Sequence, residues 1–382
     1  MREHRHIFLT GATGALGPTL CAQLLRADAT QKLSLLIRRD ENGLRRKFSR
    51  WKDRLLRELT EQGGIPDDWE DRILPVEGDL RAEGLGLSRI GRRSLVGSID
   101  GIVHAAADTQ FAGRADDQWN TNVCGTRRIL DLARACRQTP RIILVSTVCT
   151  SGTTTGRILE APLHPRPTFV NQYEHTKWQA EELALADPLP LAIARVAIVL
   201  GSHARGTVHR MGAVHHLLRW FGRRLIPVLP AAPAATLDVI ATETVGRFLA
   251  RAVSADWSGK PIWNIAAGDQ APSFREFCQL VWNRMFPAER MRNLEEPGKP
   301  FIVDQETFEA LRRSRNDRSQ RLIQQALSSI STFVPMLLHP RTYDTTQAEQ
   351  LWGGPLPLED WRQTLSQVLR HFRATRRAAI AA

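Results

Sequence analysis

The sequence predicts an α/β fold: a doubly wound parallel sheet joined to a smaller, mainly helical C-terminal lobe. Three observations carry this. Short β-branched or leucine-rich runs alternate with helical stretches through the first half of the chain. Glycines at 11, 14 and 17 stand between the first apolar run and the first helical stretch. After Gly201 the alternation gives way to a mostly helical pattern. At roughly 150 residues per domain, a chain of 382 residues suggests two lobes.

Strands are predicted at Arg5–Thr10, Leu33–Arg38, Ile73–Val76, Gly101–Ala105, Arg141–Ser146 and Leu191–Val199, and helices at about 15–27, 43–62, 115–136 and 170–187. Within the third helix Val123, Ile129, Leu130, Leu132 and Ala133 fall largely on one stripe, the pattern of a core-facing helix. Strand–helix alternation of this kind implies a parallel sheet covered on both faces, with ligands bound beyond the carboxyl ends of its strands. Further on, 208–222 reads as a basic amphipathic helix, and Pro227, Pro230 and Pro233 mark an irregular crossing. Leu237–Ile240 and Ile262–Ala266 read as short strands flanking a helix at 243–254. From Ser273 the pattern is mostly helical, broken by Pro and Gly near 297–300 and 353–357.

The stretch Thr10-Gly-Ala-Thr-Gly-Ala-Leu-Gly17 follows a strand and opens a helix. In that setting Gly11 allows the tight turn, Gly14 lets backbone approach a pyrophosphate, and Gly17 lets helix and strand pack closely. The helix N-terminus offers free N–H groups to phosphate oxygens, and Pro18 suits its first turn. The motif predicts a Rossmann-like dinucleotide site formed by Thr10, Gly11, Thr13, Gly14, Ala15, Leu16 and Gly17. The domain plan is then a dinucleotide-binding domain over 1–200 with a returning segment at about 236–268, and a substrate-binding, mainly helical lobe over 201–235 and 269–382.

The end of the second strand bears on the choice of cofactor. An NAD-preferring site places a carboxylate there for the ribose 2′-hydroxyl, whereas this chain reads Leu36-Ile-Arg-Arg-Asp40. A guanidinium grips a 2′-phosphate that a carboxylate repels. Arg38 therefore predicts NADP(H), with Arg39, Arg45, Arg46 and Lys47 as helpers and Asp40 as the residue opposing the preference. Asp79 and Leu80 after the third strand are placed to reach the adenine, and Ala105, Ala106 and Ala107 after the fourth to line the nicotinamide ribose.

Tyr173-Glu-His-Thr-Lys177 lies on a predicted helix, so Tyr173 and Lys177 share one face. A nearby ammonium lowers a phenol's pKa, making it a proton donor or acceptor near neutrality. Lys177 is also placed to hydrogen-bond the nicotinamide ribose. With two tyrosines and six lysines in the chain, this spacing is hard to reach by accident. The fifth strand ends in Ser146-Thr147, where a hydroxyl can bond a substrate carbonyl beside Tyr173.

Taken in order, T-G-x-x-G-x-x-G, Gly78-Asp-Leu80, His104-Ala-Ala106, Asn122-Val-Cys-Gly-Thr126, Ser146-Thr147 and Y-x-x-x-K resemble the extended short-chain dehydrogenases/reductases. Within them the chain is most similar to the thioester reductase and fatty acyl-CoA reductase branch, the male-sterility family. The similarity spans about residues 5–270, with a fainter echo at Thr342-Tyr-Asp-Thr345. The resemblance implies a catalytic triad of Thr147, Tyr173 and Lys177, with Thr147 preferred to Ser146 because it lies five residues before Gly152. It puts Asn122 on the cofactor side of the site, a buried helical role being the alternative. One departure is Arg195-Val196, where the family carries Arg-Pro.

The activity so implied is NADPH-dependent reduction of an acyl thioester, delivered as acyl-CoA or on a phosphopantetheinyl carrier protein, to an aldehyde or alcohol. The alternative is another extended-family enzyme acting on a sterol, an alcohol or a nucleotide-sugar. Loss of the Tyr or Lys would mark a non-catalytic cofactor-binding regulator, and this chain keeps both. A net charge of +12 suits anionic CoA or an acidic carrier protein. The arginines are scattered rather than gathered into an arm, which argues against nucleic acid. Five irregularly spaced cysteines without a C-x-x-C pair argue against a disulfide framework and a metal site. No apolar run reaches the ~18 residues of a membrane span, and Met1–His6 lead straight into a strand, favouring the cytoplasm. Residues 208–222 and Phe333–Leu338 are read as core, with an acyl channel or peripheral membrane contact as alternatives. Oligomeric state stays open.

Overall fold

The computed structural model describes residues 6–41, 43–61, 63–111, 113–226, 228–287, 300–313, 325–328, 330 and 333–381. Met1–Arg5, Pro227 and the predicted helix break at 297–299 lie outside them. Among the described residues the strands, in chain order, are β1 (His6–Thr10), β2 (Lys32–Ile37), β3 (Ile73–Glu77), β4 (Gly101–His104), β5 (Arg141–Thr147), β6 (Gly156–Ile158), β7 (Leu191–Val196), β8 (Ile198–Gly201), β9 (Val228–Pro230), β10 (Val239–Ala241), β11 (Ile262–Ile265), β12 (Phe301–Val303) and β13 (Arg341–Tyr343). Seven of them form one parallel sheet in the order β11-β7-β5-β4-β1-β2-β3. The strand order reverses between β1 and β4, and it is outside the carboxyl ends at such a switch point that open α/β sheets bind ligands.

Alternating side chains of each strand feed opposite faces. Ile7 and Leu9 of β1 join a core with Leu20, Leu24, Leu55 and Phe248, whereas Phe8 joins Ile102, Leu130 and Leu144 on the other side. The helices, in chain order, include α1 (Gly17–Ala27), α2 (Gly43–Glu61), α3 (Arg89–Ser98), α4 (Ala115–Gln118), α5 (Gly125–Arg134), α6 (Gln172–Ala186), α7 (Ala213–Phe221), α8 (Thr242–Ser254) and α9 (Phe274–Met285), of which α1, α2 and α8 pack in one face's core and α3, α5 and α6 in the other's. A third apolar cluster holds α7, α9 and the C-terminal helix Trp361–Ala381 together through Leu217, Leu218, Phe221, Phe277, Trp282 and Val368. Val334 and Leu337 are buried in the same cluster.

β11 extends the edge beside β7, and α8 packs on α1, where a Cβ at Gly246 would already meet Thr19 and Gln23. The C-terminal Arg341–Tyr343 pairs with β6, and Asp344 forms an ion pair with Arg157 at 2.8 Å. The Thr342–Thr345 stretch is thereby tied to the loop that follows β5.

Three predicted elements differ from the structure. The single strand Leu191–Val199 is two: Ala197 N–H bonds Ile265 O (3.0 Å), whereas Ile198 N–H turns to Asp238 O (3.2 Å), so the chain leaves the main sheet and β8 pairs β10 instead. The single helix 115–136 is interrupted by a π-turn at Trp119–Cys124. There the Asn122 carbonyl accepts from the Thr126 hydroxyl (2.7 Å), which diverts a backbone acceptor. The basic helix starts at Ala213 rather than 208, after Gly212. Helix α3 was not predicted: with two glycines and only Leu95 buried it has no legible stripe, and the Ser88 side chain caps it by accepting from Gly91 N (3.0 Å).

Candidate functional site

At the β1/β4 reversal a cleft of about 300 Å³ opens, walled by Gly11, Thr13, Gly14, Ala15 and Leu16 on one side and Ala105, Ala106 and Ala107 on the other. Gly11 has φ +81°, and a Cβ there would stand 2.6 Å from the Ala105 carbonyl carbon. The β1 turn and the β4 end can approach only because that atom is missing. A Cβ at Gly17 would lie 1.8 Å from Ala12 O, so this glycine is a packing requirement and not part of the cleft wall. At Gly14 the added atom would meet only Gly11 within 4 Å (its O at 3.0 Å), leaving the backbone open to a ligand. Helix α1 begins here with Pro18 in its first turn and no capping side chain, so its first amides are not taken by a cap.

The far wall is cationic. Arg38, Lys47, Arg81 and Arg210 line it together with Asp79 and Leu80. Lys47 donates to the Arg38 carbonyl (2.6 Å), and burial followed by the Arg38 charge lowers its pKa. Burial works against ionisation of Asp79, but hydrogen bonds from Arg81 (3.1 and 3.3 Å) outweigh it and hold the carboxyl below the usual range. Arg39 leaves the cleft to pair with Glu77 (3.6 Å), and Arg45 and Arg46 are exposed outside it. Asp40 pairs with Arg50 at 3.3 Å and is not on the wall, so it does not oppose an anion there. Arg81 and Arg210 were missed from sequence. Arg81 follows the Gly-Asp-Leu signature and was findable. Arg210 comes from the crossing between the lobes and carried no signal.

Of the three predicted catalytic residues, Thr147 and Tyr173 come together, and Lys177 lies one helical turn beyond Tyr173. Asn171 caps α6, accepting from Glu174 N at 2.9 Å, and that start sets Tyr173 in the first turn with Lys177 one turn on. Thr147 ends β5, and its hydroxyl is hydrogen-bonded to the Tyr173 phenol. It also accepts from Cys149 N (3.2 Å). Ser146 is committed elsewhere: its hydroxyl donates to Glu181 at 2.5 Å. Glu181 is in turn gripped by the buried Arg195 at 2.7 Å, whose Nη1 donates to Ala161 O (3.0 Å). Lys177 donates to Val145 O (2.9 Å), tying α6 to β5.

The expected lowering of the phenol's pKa is not found; the shift is upward, and its cause is burial. Burial pushes Tyr173 up, Cys149 adds to this, and the Thr147 hydrogen bond opposes it. Lys177 itself is pushed down to about 8, by burial first and with Glu181 opposing. Proximity in sequence implied a tyrosinate-favouring pair, but desolvation outweighs it.

Five residues expected on the cofactor, Thr10, Gly17, Asn122, Tyr173 and Lys177, are not on the cleft wall. Asn122 is spent holding the site: it accepts from Asp108 N (2.8 Å) and donates to Asp108 O and the Thr176 hydroxyl (3.0 Å each). The π-turn leaves its neighbour Thr121 facing the cleft. Thr10 accepts from Ala106 N (3.1 Å) and bonds His104 Nδ1 (2.7 Å), while His104 Nε2 meets Thr126 Oγ1 (3.3 Å). Because Thr126 donates to Asn122 O, the His104 proton belongs on Nε2, and Nδ1 accepts from Thr10. Every hydrogen in this chain then has a taker, and it links β1, β4 and the π-turn beneath the cleft.

Residues 9–249 match the NAD-binding family described as male sterility protein. The chain is 29% identical over 169 residues to an alcohol-forming fatty acyl-CoA reductase of Simmondsia chinensis, a match covering 42% of this chain and 34% of that protein. This chain thus spans about a third of the length of that relative. In fold it matches the terminal R domain from the myxalamid PKS-NRPS biosynthetic pathway, with TM-score 0.76, 23% identity, and coverage of 97% of this chain and 91% of that one. A thiolation-reductase di-domain from an archaeal non-ribosomal peptide synthetase aligns with TM-score 0.71 and 17% identity, over 98% of this chain and 76% of that one. At such identities the two structures establish shared fold alone. The family match covers well over half of the chain, which therefore belongs to the male sterility protein family.

Proposed function

From membership of the male sterility family and from the geometry of Thr147 and Tyr173, we propose that the chain is an NADP(H)-dependent oxidoreductase that reduces an acyl thioester. The carrying observation is a buried phenol hydrogen-bonded to a threonine hydroxyl at the end of β5, the strand next to β4, whose following residues Ala105–Ala107 wall the cleft.

The residues of the cleft fit the cofactor. The glycine turn is open at Gly14, the α1 amides lack a side-chain cap, and the wall carries four cations against Asp79. Arg38 and Lys47, at the end of β2 and the start of α2, would hold the 2′-phosphate. When bound, the reduced nicotinamide supplies the hydride.

The chain's own residues supply the rest. Thr147 Oγ1 donates to the substrate carbonyl oxygen and stabilises the charge that develops there. Tyr173, a protonated phenol at neutral pH, delivers its proton to that oxygen. The carbon–sulfur bond of the resulting hemithioacetal then breaks as its hydroxyl proton passes to the departing sulfur, releasing aldehyde and thiol. Lys177, anchored on Val145 O, is the cation that recharges the phenol. Acyl-CoA and acyl-carrier protein share the thioester, and a +12 chain suits either donor.

The test is NADPH oxidation against a panel of acyl-CoAs and acyl-carrier proteins, with products identified. Aldehyde or alcohol formed from a thioester is the expected result. Turnover of secondary alcohols or nucleotide-sugars only, with no thioester reduced, would overturn it.

A further inference from the structure

The crossing from Ser202 to Gly212, between β8 and α7, has no helix or strand of its own, yet it is tied down along its length. The Ser202 hydroxyl and His203 N–H bond Glu243 in the first turn of α8 at 2.8 and 2.9 Å. Arg205 pairs with Glu61, the last residue of α2, at 2.9 Å. His209 Nε2 bonds Glu58 Oε1 at 3.1 Å. Three carboxylates on two helices, Glu58 and Glu61 of α2 and Glu243 of α8, thus receive one short segment of the second lobe. Such contacts oppose the entropy that would let an irregular segment wander.

One of these anchors shows where the segment ends up. The second oxygen of Glu58 accepts from the Thr19 hydroxyl at 3.0 Å, and Thr19 lies in the first turn of α1, just after Gly17. His209 is therefore pinned, through one shared carboxylate, against the helix whose N-terminus faces the cleft. The next residue, Arg210, is exposed and lines that cleft. Arg38 and Lys47 sit at the other end of the anion path, at β2 and the start of α2.

We propose that Ser202–Gly212 is a strap from the second lobe across the cofactor cleft, and that its Arg210 binds the pyrophosphate of the dinucleotide. This rests on the cofactor reading above and adds a ligand to it from outside the glycine motif. A guanidinium placed here adds charge-assisted hydrogen bonds to those of the α1 amides. Because the strap leads directly into α7, the cofactor also fixes the position of the lobe that carries the substrate.

The pyrophosphate is common to NADPH and NADH, so the assignment makes a discriminating prediction. Arg210→Ala should raise the Kd of both dinucleotides about tenfold in a fluorescence titration, leaving their ratio unchanged. His209→Ala, which cuts the anchor but keeps the guanidinium, should weaken both by a smaller factor and again equally. Thermal melting checks that the variants are folded, which the exposure of Arg210 favours. Unchanged Kd values in Arg210→Ala would overturn the proposal. So would a loss confined to NADPH, which would put the guanidinium on the 2′-phosphate instead. If the unmutated protein binds neither dinucleotide, the cofactor reading falls first and the strap with it.

Discussion

Ser146 donates its hydroxyl hydrogen to Glu181 across 2.5 Å, one residue before Thr147, whose hydroxyl instead meets Tyr173. Two adjacent hydroxyls at the end of β5 thus serve two different side chains of α6, eight residues apart. Thr147→Val keeps the shape and removes the donor, and should lower kcat by about 10²-fold with little change in stability. Ser146→Ala should do the reverse: an unfolding free energy lower by on the order of 1–3 kcal/mol, and a kcat within about fivefold of the parent. Steady-state kinetics and urea denaturation of the two variants decide. Equal kcat losses would remove the distinction between the two hydroxyls.

Tyr173→Phe should cost about 10²–10⁴-fold in turnover and leave NADPH affinity nearly intact, because it removes a proton donor and little else. Lys177→Ala should reduce turnover too, and also stability, since the ammonium ties α6 to Val145 O. A Tyr173→Phe enzyme that reduces a thioester at the parent rate would mean that the proton comes from elsewhere.

The sequence was most legible where function leans on local geometry. The glycine turn, the Tyr173–Lys177 spacing and the hydroxyl at the end of β5 are all set within one strand or one helical turn, so their residues could be named in advance. Arg38 was legible for the same reason, standing directly after β2. What could not be read depends on distant parts of the chain. His209 finds Glu58 across 151 positions, and no local pattern announces it. The π-turn at Trp119–Cys124 arises from one hydroxyl, that of Thr126, competing for a backbone acceptor. The sign of the Tyr173 shift depends on how deeply the phenol is buried, which sequence spacing to Lys177 does not report.

Arg38→Ala tests cofactor preference. Losing a charge-assisted contact to the 2′-phosphate should cost on the order of 1.5–3 kcal/mol for NADPH and almost nothing for NADH. The parent should bind NADPH at least about tenfold more tightly than NADH, a difference of about 1.4 kcal/mol, and the variant should largely lose that preference. Equal affinities in the parent, by fluorescence titration, would refute the assignment.

The glycines should separate folding from binding. Gly17→Ala places a Cβ 1.8 Å from Ala12 O, a backbone atom that cannot step aside cheaply. It should destabilise the protein by about 2 kcal/mol or more. Gly14→Ala meets only Gly11 O, at 3.0 Å. Its fold should be kept within about 1 kcal/mol, while the added methyl obstructs the phosphate and NADPH affinity falls. Thermal melts beside NADPH titrations read both effects, and a Gly14→Ala protein binding NADPH normally would move the phosphate away from this turn.

His104 gives the pH dependence. Its pKa falls from 6.5 to about 3, through burial first and the Lys177 charge second. The folded state therefore binds fewer protons than the unfolded chain over that interval. The resulting stability is fully present above about pH 6.5 and is lost as pH falls toward 3, by ~1.4 kcal/mol per unit. Replacing the ring removes this dependence, whatever else it costs. The difference in unfolding free energy between the parent and His104→Asn should therefore shrink by about 2 kcal/mol between pH 7 and pH 5. Urea titrations of both proteins at the two pH values measure it. A difference that does not change with pH would mean that the ring is protonated as readily in the fold as outside it. The Nε2-protonated, neutral tautomer that joins Thr10 to Thr126 would then be the wrong one.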